Sequence, residues 1–396
     1  MSDQPKQEKR DGITRIELKD GRVRHRFVID VGRDPMTGKR TQLTRTFDSW
    51  KEARAERARM ISETATGNFV RPRKLTVDQY LDQWFEGATR NVRPSTKRSY
   101  RDALAPVRER LGARKLQDLT KADVEALVTW METSGRKRGG KAGTGLGPRS
   151  IRLTLGRLTA ALKMAQAEGL VVRNVAALVD PPRYVPGDRK TWSAEEVQRF
   201  LAEAARDRLH AAWRLSLYGL RRGEVLGLRW DDIDLDAGTL SVRRARVLVE
   251  GRVLEQEPKT RNGVRTLPLD DELLGALRTL RASQARERLA AGEAYETDGH
   301  VVVDELGAPV HPEWYSDEFG RVAKRAGVPR IVLHEGRHTA LSLMEKAGVP
   351  VSIVSRWAGH YDAAFTLRQY VHADHAEDLA AGRDVFGKLY KIGGGA

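Results

Sequence analysis

The chain has 396 residues, a length that predicts two to four domains. Its 40% hydrophobic and 31% charged residues are typical of a folded protein, no apolar run reaches the roughly 18 residues that a membrane span needs, and the polar N-terminus does not resemble a signal peptide. Because cysteine is absent, disulfides and thiolate metal sites are excluded, and we expect a cytoplasmic protein.

The net charge of +16 and the pI near 10.1 indicate a polyanionic partner. Residues 1–74 contain 19 basic and 11 acidic side chains, a net charge of +8, so half of the excess lies in under a fifth of the chain. This uneven distribution argues against the alternative of a merely solubilising surface charge. Arginine outnumbers lysine 52 to 18, which suits bidentate contact with phosphate and equally suits a GC-rich genome.

The segment from residue 12 to residue 47 predicts three strands, separated by the turn signals KDG and DPMTGKR. A helix is expected at residues 49–62. Period-two alternation places Arg22, Arg24 and Arg26 on one face of a strand, opposite the apolar side chains. A basic sheet face of this kind fits a DNA major groove; the alternative is a basic face that only contacts solvent.

Residues 76–180 predict four or five helices, because apolar residues recur at helical spacing and the string TVDQ has the pattern of a capping box. Before the last long helix lies the glycine-rich, basic segment GRKRGGKAGTGLGP. It predicts either a flexible linker or a loop that follows a phosphate backbone. In the second case its basic side chains bind DNA: Arg136, Lys137, Arg138 and Lys141.

The charged segment VDPPRYVPGDRKTW is rich in proline and lacks periodicity, so it predicts an interdomain linker. The string SAEE, which begins at Ser193, predicts the capping box of the next helix. From there to about residue 385 the sequence predicts a mixed, mainly helical domain with one hairpin region at residues 239–269. We find no internal repeat.

Six residues in the second half of the chain suit an attack on a phosphodiester. They lie in the strings YGLRRGEVLGLRW, EPKTRNGVRTLPL, LHEGRHT and AGHYDAAFTLRQY, and they are Arg221, Lys259, His334, Arg337, His360 and Tyr370. Two guanidiniums match the charge that develops on a phosphoryl group in transfer. A phenol becomes a nucleophile when nearby cations favour the phenolate. Because these residues supply their own positive charge, we expect no metal and no other cofactor.

The order and spacing of these strings resemble the tyrosine recombinase (phage integrase) family. That family's pattern is R-x-x-E, a hairpin lysine, H-x-x-R, G-H and then a tyrosine; here His360 and Tyr370 are ten residues apart. The resemblance is close over residues 190–380 and looser over the preceding helical region. It implies a DNA recombinase of the lambda-integrase type, and the additional N-terminal segment favours the integrase of a phage or integrative element over a chromosome-dimer resolvase.

The resemblance implies that two arginines bind the non-bridging oxygens of the scissile phosphate. These are Arg221 and Arg337, and Arg222 is the alternative to Arg221. Glu224 would brace the guanidinium of Arg221 from the same R-x-x-E string. His338 would support the site from within the helix that carries Arg337.

The resemblance also assigns the proton transfers and the nucleophile. Lys259 would protonate the departing 5′ oxygen, while His334 and His360 would donate hydrogen bonds to the phosphate. Tyr370 would attack the phosphorus and form a 3′-phosphotyrosyl link, with Tyr361 as the alternative nucleophile. Two further basic residues compete for the role of Lys259: Arg261 and Arg265.

The expected fold class is α+β and mainly helical. The expected parts are residues 1–65, an arm-type DNA-binding domain of three strands and one helix; residues 74–180, a helical core-binding domain; residues 181–191, a linker; residues 192–385, a mainly helical catalytic domain with a small β-sheet; and residues 386–396, a C-terminal tail. The first of these resembles the N-terminal arm-binding domains of some phage integrases.

Family behaviour implies double-stranded DNA as the partner, at core and arm attachment sites. It also implies a homotetramer that exchanges strands in two rounds through a Holliday junction, with the C-terminal tail docked on a neighbouring protomer. A directionality factor and a host DNA-bending protein are further expected partners. We expect association with the nucleoid and no membrane partner.

Three alternatives remain open at this point. The string HEGRH is an H-E-x-x-H zinc peptidase signature, in which His334 and His338 would bind zinc and Glu335 would be the base. No third histidine follows at the usual spacing, and Arg337 inside the motif would crowd a dication. A type IB topoisomerase-like enzyme would use the same residues as a recombinase. The last alternative is a DNA-binding regulator with an inactive site.

Overall fold

The structure, a computed structural model, describes most of the chain: residues 9–18, 20–33, 40–66, 69–70, 73–137, 139–185, 190–257, 263–296 and 298–359. The chain divides into two compact units, Met1–Val185 and Pro186–Ala396. None of the helices within those described ranges is long and apolar enough to cross a membrane. The secondary structure is mainly helical with small antiparallel sheets, which confirms the expected α+β class.

The first unit begins with an antiparallel sheet in the order β1-β2-β3-β4, followed by one helix. The elements are β1 (Lys9–Arg10), β2 (Ile13–Glu17), β3 (Val23–Arg33), β4 (Arg40–Phe47) and α1 (Trp50–Ala65). Helix α1 covers one face of the sheet, and a small apolar core lies between them: Ile13, Phe27, Ile29, Ala53 and Met60. A small core of this kind holds together one sheet face and one helix face.

The three strands predicted within residues 12–47 are present as β2, β3 and β4, and the sheet has a fourth strand, β1, which was not predicted. Strand β1 has only two residues, too few to show period-two alternation, and it pairs with β2. Asp11 and Gly12 connect the two strands, and both have positive φ, at 51° and 73°. An Asp-Gly pair is a strong hairpin signal because both central residues of such a turn adopt this conformation. The extra strand was therefore readable from the sequence.

The rest of the first unit is helical, as predicted. Its elements are α2 (Val77–Ala88), α3 (Pro94–Leu111), α4 (Lys121–Thr133) and α5 (Pro148–Ala167). The predicted capping box begins α2: the hydroxyl of Thr76 accepts from the main-chain N–H of Gln79 over 3.2 Å, and the Gln79 side chain accepts from the N–H of Thr76 over 3.0 Å. The helices share one apolar core that includes Leu104, Val107, Leu127 and Leu158.

The second unit contains seven helices and five short strands within the described residues. The helices are α6 (Ala194–Ala204), α7 (His210–Leu217), α8 (Arg222–Leu226), α9 (Asp271–Ala291), α10 (Pro312–Arg325), α11 (Leu333–Lys346) and α12 (Val351–Ala358). The strands are β5 (Ile233–Asp234), β6 (Thr239–Val242), β7 (Ala245–Val249), β8 (Arg252–Gln256) and β9 (Arg265–Pro268). Helix α6 begins with the predicted capping box of Ser193 and Glu196.

The predicted hairpin region at residues 239–269 contains parts of two sheets. Strands β5, β6 and β9 form one antiparallel sheet, and β7 and β8 form a separate hairpin. Strand β7 lies directly on α8, where a Cβ at Gly223 would be 2.9 Å from the carbonyl oxygen of Arg246 and a Cβ at Gly227 would be 3.0 Å from the Cα of Ala245. Only glycine permits this approach at both positions. The contact fixes the short helix that follows Arg221.

Candidate active site

Arg221 occupies the N-cap position of α8, and Glu224 closes the first turn. One oxygen of the Glu224 carboxylate accepts from the main-chain N–H of Arg221 over 2.9 Å. The other oxygen accepts from Nη1 of the Arg221 side chain over 2.7 Å. The R-x-x-E spacing therefore serves two purposes, since the same carboxylate caps the helix and orients the guanidinium. The Arg221 side chain retains 39% of its exposure.

Glu224 is the centre of a cluster of three arginines, which we call the Glu224 cluster: Arg221, Glu224, Arg265 and Arg337. Arg265 donates two hydrogen bonds to the Glu224 carboxylate, at 2.9 and 3.2 Å. Nη1 of Arg337 lies 3.9 Å from the same carboxylate. The Glu224 side chain is only 5% exposed, so this carboxylate is surrounded by cations in a site that excludes solvent.

The pKa of Glu224 reflects this environment. Burial disfavours the charged carboxylate and acts to raise its pKa, but the guanidiniums of Arg265, Arg221 and Arg337 outweigh burial and hold the pKa at about 2. Glu224 is therefore ionised at neutral pH. Its negative charge keeps several guanidiniums together that would otherwise repel one another.

Arg337 lies on α11 and is almost completely buried, with 2% of its side chain exposed. It donates to the main-chain carbonyls of Gly219 and Ala358. Arg221 donates to the next carbonyl along the chain, that of Gly359, over 3.4 Å. The two predicted phosphate-binding arginines are thus attached to consecutive carbonyls at the end of α12 as well as to Glu224.

The structure brings together three of the predicted residues: Arg221, Glu224 and Arg337. His334 is on the same helix as Arg337, one turn earlier, and its ring meets that of His338 edge to face at 4.7 Å between centroids. The other predicted side chains at this site lie outside the described residues: Lys259, Arg261, His360, Tyr361 and Tyr370. The chain reaches Gly359, the residue before His360, beside Arg221.

The alternative arginine, Arg222, points away from this cluster. Its Nη1 donates to the hydroxyl of Ser316 over 2.8 Å and to the carbonyl of Pro312 over 3.3 Å, both on α10. Arg222 is thus held by α10 and does not lie beside Glu224. The geometry therefore favours Arg221 for the role that the R-x-x-E pattern assigns.

The zinc alternative for HEGRH gains no support from the geometry. The carboxylate of Glu335 accepts from the main-chain N–H of Val332 over 2.7 Å, so it caps its own helix. Among the residues that the structure describes, no group of three His, Cys, Asp or Glu side chains is placed to hold a metal ion. His334 and His338 pack against each other without a third metal-binding side chain from that part of the chain.

Sequence reasoning missed the importance of Arg265, which it considered only as a competitor of Lys259. Besides its two bonds to Glu224, Arg265 donates from Nε to the carbonyl of Trp357 over 2.7 Å. A signal was present in strand β9, where burial alternates and Arg265 shares the inward face with Leu267. An arginine on an apolar strand face requires a buried partner, and the partner is Glu224.

Two of the three arginines predicted on one strand face, Arg24 and Arg26, lie on β3, whereas Arg22 lies before the strand begins. Phe27 and Ile29 are buried, whereas Arg26 and Val28, which alternate with them along the strand, are exposed. Arg24 is half-buried and pairs with Asp48 over 3.0 Å. Arg22 lies in the turn just before the strand and pairs with Asp20. These arginines are close to solvent, and their ion pairs are surface pairs that stabilise the fold little.

Over its described residues, the glycine-rich loop before α5 is closed by main-chain hydrogen bonds from Arg136 to Thr144 and from Gly143 to Arg136. Arg136 donates from Nε to the carbonyl of Gly145 over 3.0 Å and from Nη1 to that of Gly139 over 2.8 Å, so its guanidinium braces the loop. Lys137 pairs with Glu109 over 2.7 Å. Lys141 is exposed, and Arg138 lies outside the described residues.

Two family profiles match parts of this chain. The profile of the phage integrase family matches residues 190–377, and the profile of the phage integrase N-terminal SAM-like domain matches residues 76–131. Over 379 residues the chain is 26% identical to a protein of Caldanaerobacter subterraneus subsp. tengcongensis described as tyrosine recombinase XerC-like. That alignment covers 90% of this chain and 94% of the relative.

Two solved structures have a similar fold. The integrase of transposon Tn1549, in complex with a circular intermediate DNA, superposes with a TM-score of 0.65 at 21% identity over 78% of this chain and 99% of that one. A lambda integrase tetramer bound to a Holliday junction gives a TM-score of 0.53 at 21% identity over 91% of this chain and 96% of that one. These two structures show the shared fold, and the family profiles over residues 190–377 and 76–131, with the relative that aligns over 90% of the chain, show that the chain belongs to the phage integrase family of tyrosine recombinases.

Proposed function

We propose that this chain is a site-specific DNA recombinase that integrates and excises a mobile element through a 3′-phosphotyrosyl intermediate. Membership of the tyrosine recombinase family establishes the reaction class, which is the breaking and rejoining of DNA strands. The single observation that carries the residue assignment is the Glu224 cluster. It holds the two predicted phosphate-binding guanidiniums, with that of Arg265, on one buried carboxylate, next to the main chain that leads to His360.

In the proposed mechanism, Arg221 and Arg337 bind the non-bridging oxygens of the scissile phosphate. Arg221 is partly exposed and fixed along one edge by Glu224, so it is oriented before DNA arrives. Arg337 is buried and donates to two main-chain carbonyls, so its contact with phosphate exchanges a carbonyl partner for a phosphate oxygen. Two fixed cations stabilise the charge that builds up on those oxygens in the transition state.

The covalent step uses residues that the family pattern supplies. Tyr370 attacks the phosphorus as its phenolate, after its proton has passed to water; the bond from phosphorus to the 5′ oxygen breaks, and Lys259 gives a proton to the departing oxygen. His334 and His360 donate hydrogen bonds to the phosphate. Attack by the 5′ hydroxyl of another strand reverses the step, so the energy of the phosphodiester is retained and no ATP is needed.

The proposed partners follow from the same assignment. Residues 1–65 bind arm sites and residues 74–180 bind the core site, while residues 192–385 cut and rejoin the strands as a tetramer on DNA. The related tetramer on a Holliday junction supports this assembly by its fold. A directionality factor, a host DNA-bending protein and an association with the nucleoid complete the proposal.

The nucleophile provides the direct test of this function. Direct repeats at the flanks of the element that encodes the chain give the core site, and a nicked duplex of that site traps the covalent intermediate. We expect Tyr370→Phe to bind this duplex like the parent protein and to form no protease-sensitive DNA adduct, since only the hydroxyl is lost. The matched variant Tyr361→Phe should still form the adduct. An adduct from Tyr370→Phe would refute the assignment.

A further inference from the structure

Trp357 lies where two main-chain segments meet, the turn before Arg221 and the end of α12. The carbonyls of these segments accept hydrogen bonds from Arg337 and Arg221. Its indole Nε1–H donates to the carbonyl of Tyr218 over 2.8 Å, and the two aromatic rings are 5.2 Å apart between centroids. The carbonyl of Trp357 accepts from Nε of Arg265 over 2.7 Å. One residue therefore contacts both the turn that precedes Arg221 and the strand that carries Arg265.

The turn beside Trp357 provides a carbonyl to which Arg337 donates. Gly219 has a φ of +91°, and a Cβ at this position would be 3.3 Å from both Cδ1 and Nε1 of the Trp357 indole. The indole thus packs against the bare main chain of the turn. Because Arg337 donates to Gly219 and to Ala358, the place of its guanidinium depends on the separation between the turn and the end of α12. The indole hydrogen bond joins these two segments directly.

The hydrogen bond of Trp357 distinguishes it from a tryptophan that only fills the core. Trp213 is completely buried in the second unit, and its indole nitrogen has no hydrogen-bond partner among the described residues. Trp357 is half-buried, and its N–H is directed at a main-chain carbonyl between two segments that bind arginines. Trp213 therefore contributes by packing alone, whereas Trp357 also links the segments that hold the arginines of the Glu224 cluster.

We infer that Trp357 is a positioning residue for strand cleavage, acting through Arg337 and Arg221 without contacting the DNA. The inference rests on the proposed function, in which these arginines bind the scissile phosphate. Loss of the indole N–H frees the Tyr218 carbonyl and lets the turn move relative to α12. A small displacement of a fixed cation weakens its match to the transition state more than its contribution to DNA binding.

The test measures single-turnover cleavage of the nicked core-site duplex with saturating protein, together with the dissociation constant for the same DNA. We expect Trp357→Phe to slow cleavage by about 10-fold or more while the dissociation constant stays within about threefold of the parent value. The matched control is Trp230→Phe, since the half-buried Trp230 also donates its indole N–H, to Gln284 over 2.9 Å. That variant should cleave like the parent.

A double-mutant cycle separates positioning from a general loss of structure. If Trp357 acts through Arg337, Trp357→Phe should slow an Arg337→Lys protein by less than about twofold further. If Trp357→Phe fails to fold, incorporation of 3-benzothienylalanine at position 357 removes the N–H and keeps the ring shape. Unchanged cleavage by the folded variant, or an equal effect with and without Arg337, would overturn the inference. In either case a large effect of Arg337→Lys alone would leave the proposed function standing.

Discussion

Arginine is used in two contrasting environments in this chain. In the Glu224 cluster the guanidiniums of Arg265 and Arg337 are buried and bound to one carboxylate and to main-chain carbonyls. On β3 the arginines are near solvent and form surface pairs, as Arg24 does with Asp48. A buried, paired guanidinium has a fixed position, whereas an exposed one contributes charge without a fixed geometry. The cluster is therefore suited to catalysis and the strand to salt-dependent attraction of DNA.

The largest expected effect concerns the arginines of the cluster. Arg221→Ala and Arg337→Lys should each lower single-turnover cleavage by about 100-fold or more, because each removes a matched donor from the transition state. Binding of the core-site duplex should change little. The control Arg24→Ala should cleave the core site at the parent rate. Cleavage within tenfold of the parent for both cluster variants would show that these arginines do not contact the phosphate.

The second expected effect separates the two regions by deletion. Removal of residues 1–65 should leave cleavage of the core-site duplex intact and lower integration between full-length sites by about 100-fold or more, since a second grip on DNA raises effective concentration. Both reactions are measured on the same preparation. Equal loss of activity in both reactions would mean that residues 1–65 support the fold. No loss in either reaction would contradict the arm-binding assignment.

The third prediction concerns stability and pH at Glu224. Its pKa is about 2 in the folded protein and 4.5 when unperturbed, so its stabilising contribution is complete above pH 4.5 and is lost as the pH falls toward 2. This contribution is on the order of 3 kcal/mol. Glu224→Gln should therefore unfold in less urea at pH 6, and the difference from the parent should shrink at pH 3. The exposed control Glu293→Gln should unfold like the parent at both pH values.

The fourth effect is smaller and confined to β3. A double variant, Arg24→Gln with Arg26→Gln, should reduce the slope of log affinity for arm DNA against log salt by about 2, since each phosphate contact contributes about 0.9. Cleavage of the core site should be unaffected. Replacement of two exposed arginines of α9 in the same way, Arg286 and Arg288, should leave the slope unchanged. An unaltered slope for the β3 variant would show that the basic face of β3 contacts only solvent.

The smallest expected effect is that of chelation. Recombination should proceed in excess EDTA at the same rate as without it, because the guanidiniums supply the positive charge that divalent ions supply in metal-dependent phosphoryl transfer. The measurement is the yield of recombinant product with and without the chelator. If product were lost in EDTA and recovered on addition of zinc or magnesium, the metal-free mechanism would be contradicted and the zinc alternative for the HEGRH string would be supported.

The two regions also differ in how far they were predictable from sequence. Periodicity and capping patterns gave the helices, and the string R-x-x-E gave the pairing of Arg221 with Glu224, because both depend on residues close in sequence. Arg265 could not be assigned in this way, since its contact with Glu224 joins residues 41 positions apart. The same holds for Trp357, whose hydrogen bond to Tyr218 spans 139 positions. Long-range contacts of this kind appear only when the fold is known.

The most direct test of the central claim, that the cluster arginines neutralise the scissile phosphate, changes the DNA instead of the protein. A methylphosphonate at the scissile position replaces one non-bridging oxygen by a methyl group and removes the negative charge. Cleavage of this duplex is compared with that of the ordinary duplex for the parent, Arg221→Ala and Arg337→Lys. The account predicts that the penalty for each variant falls from about 100-fold to below about 10-fold on the neutral substrate. An equal penalty on both substrates would contradict it.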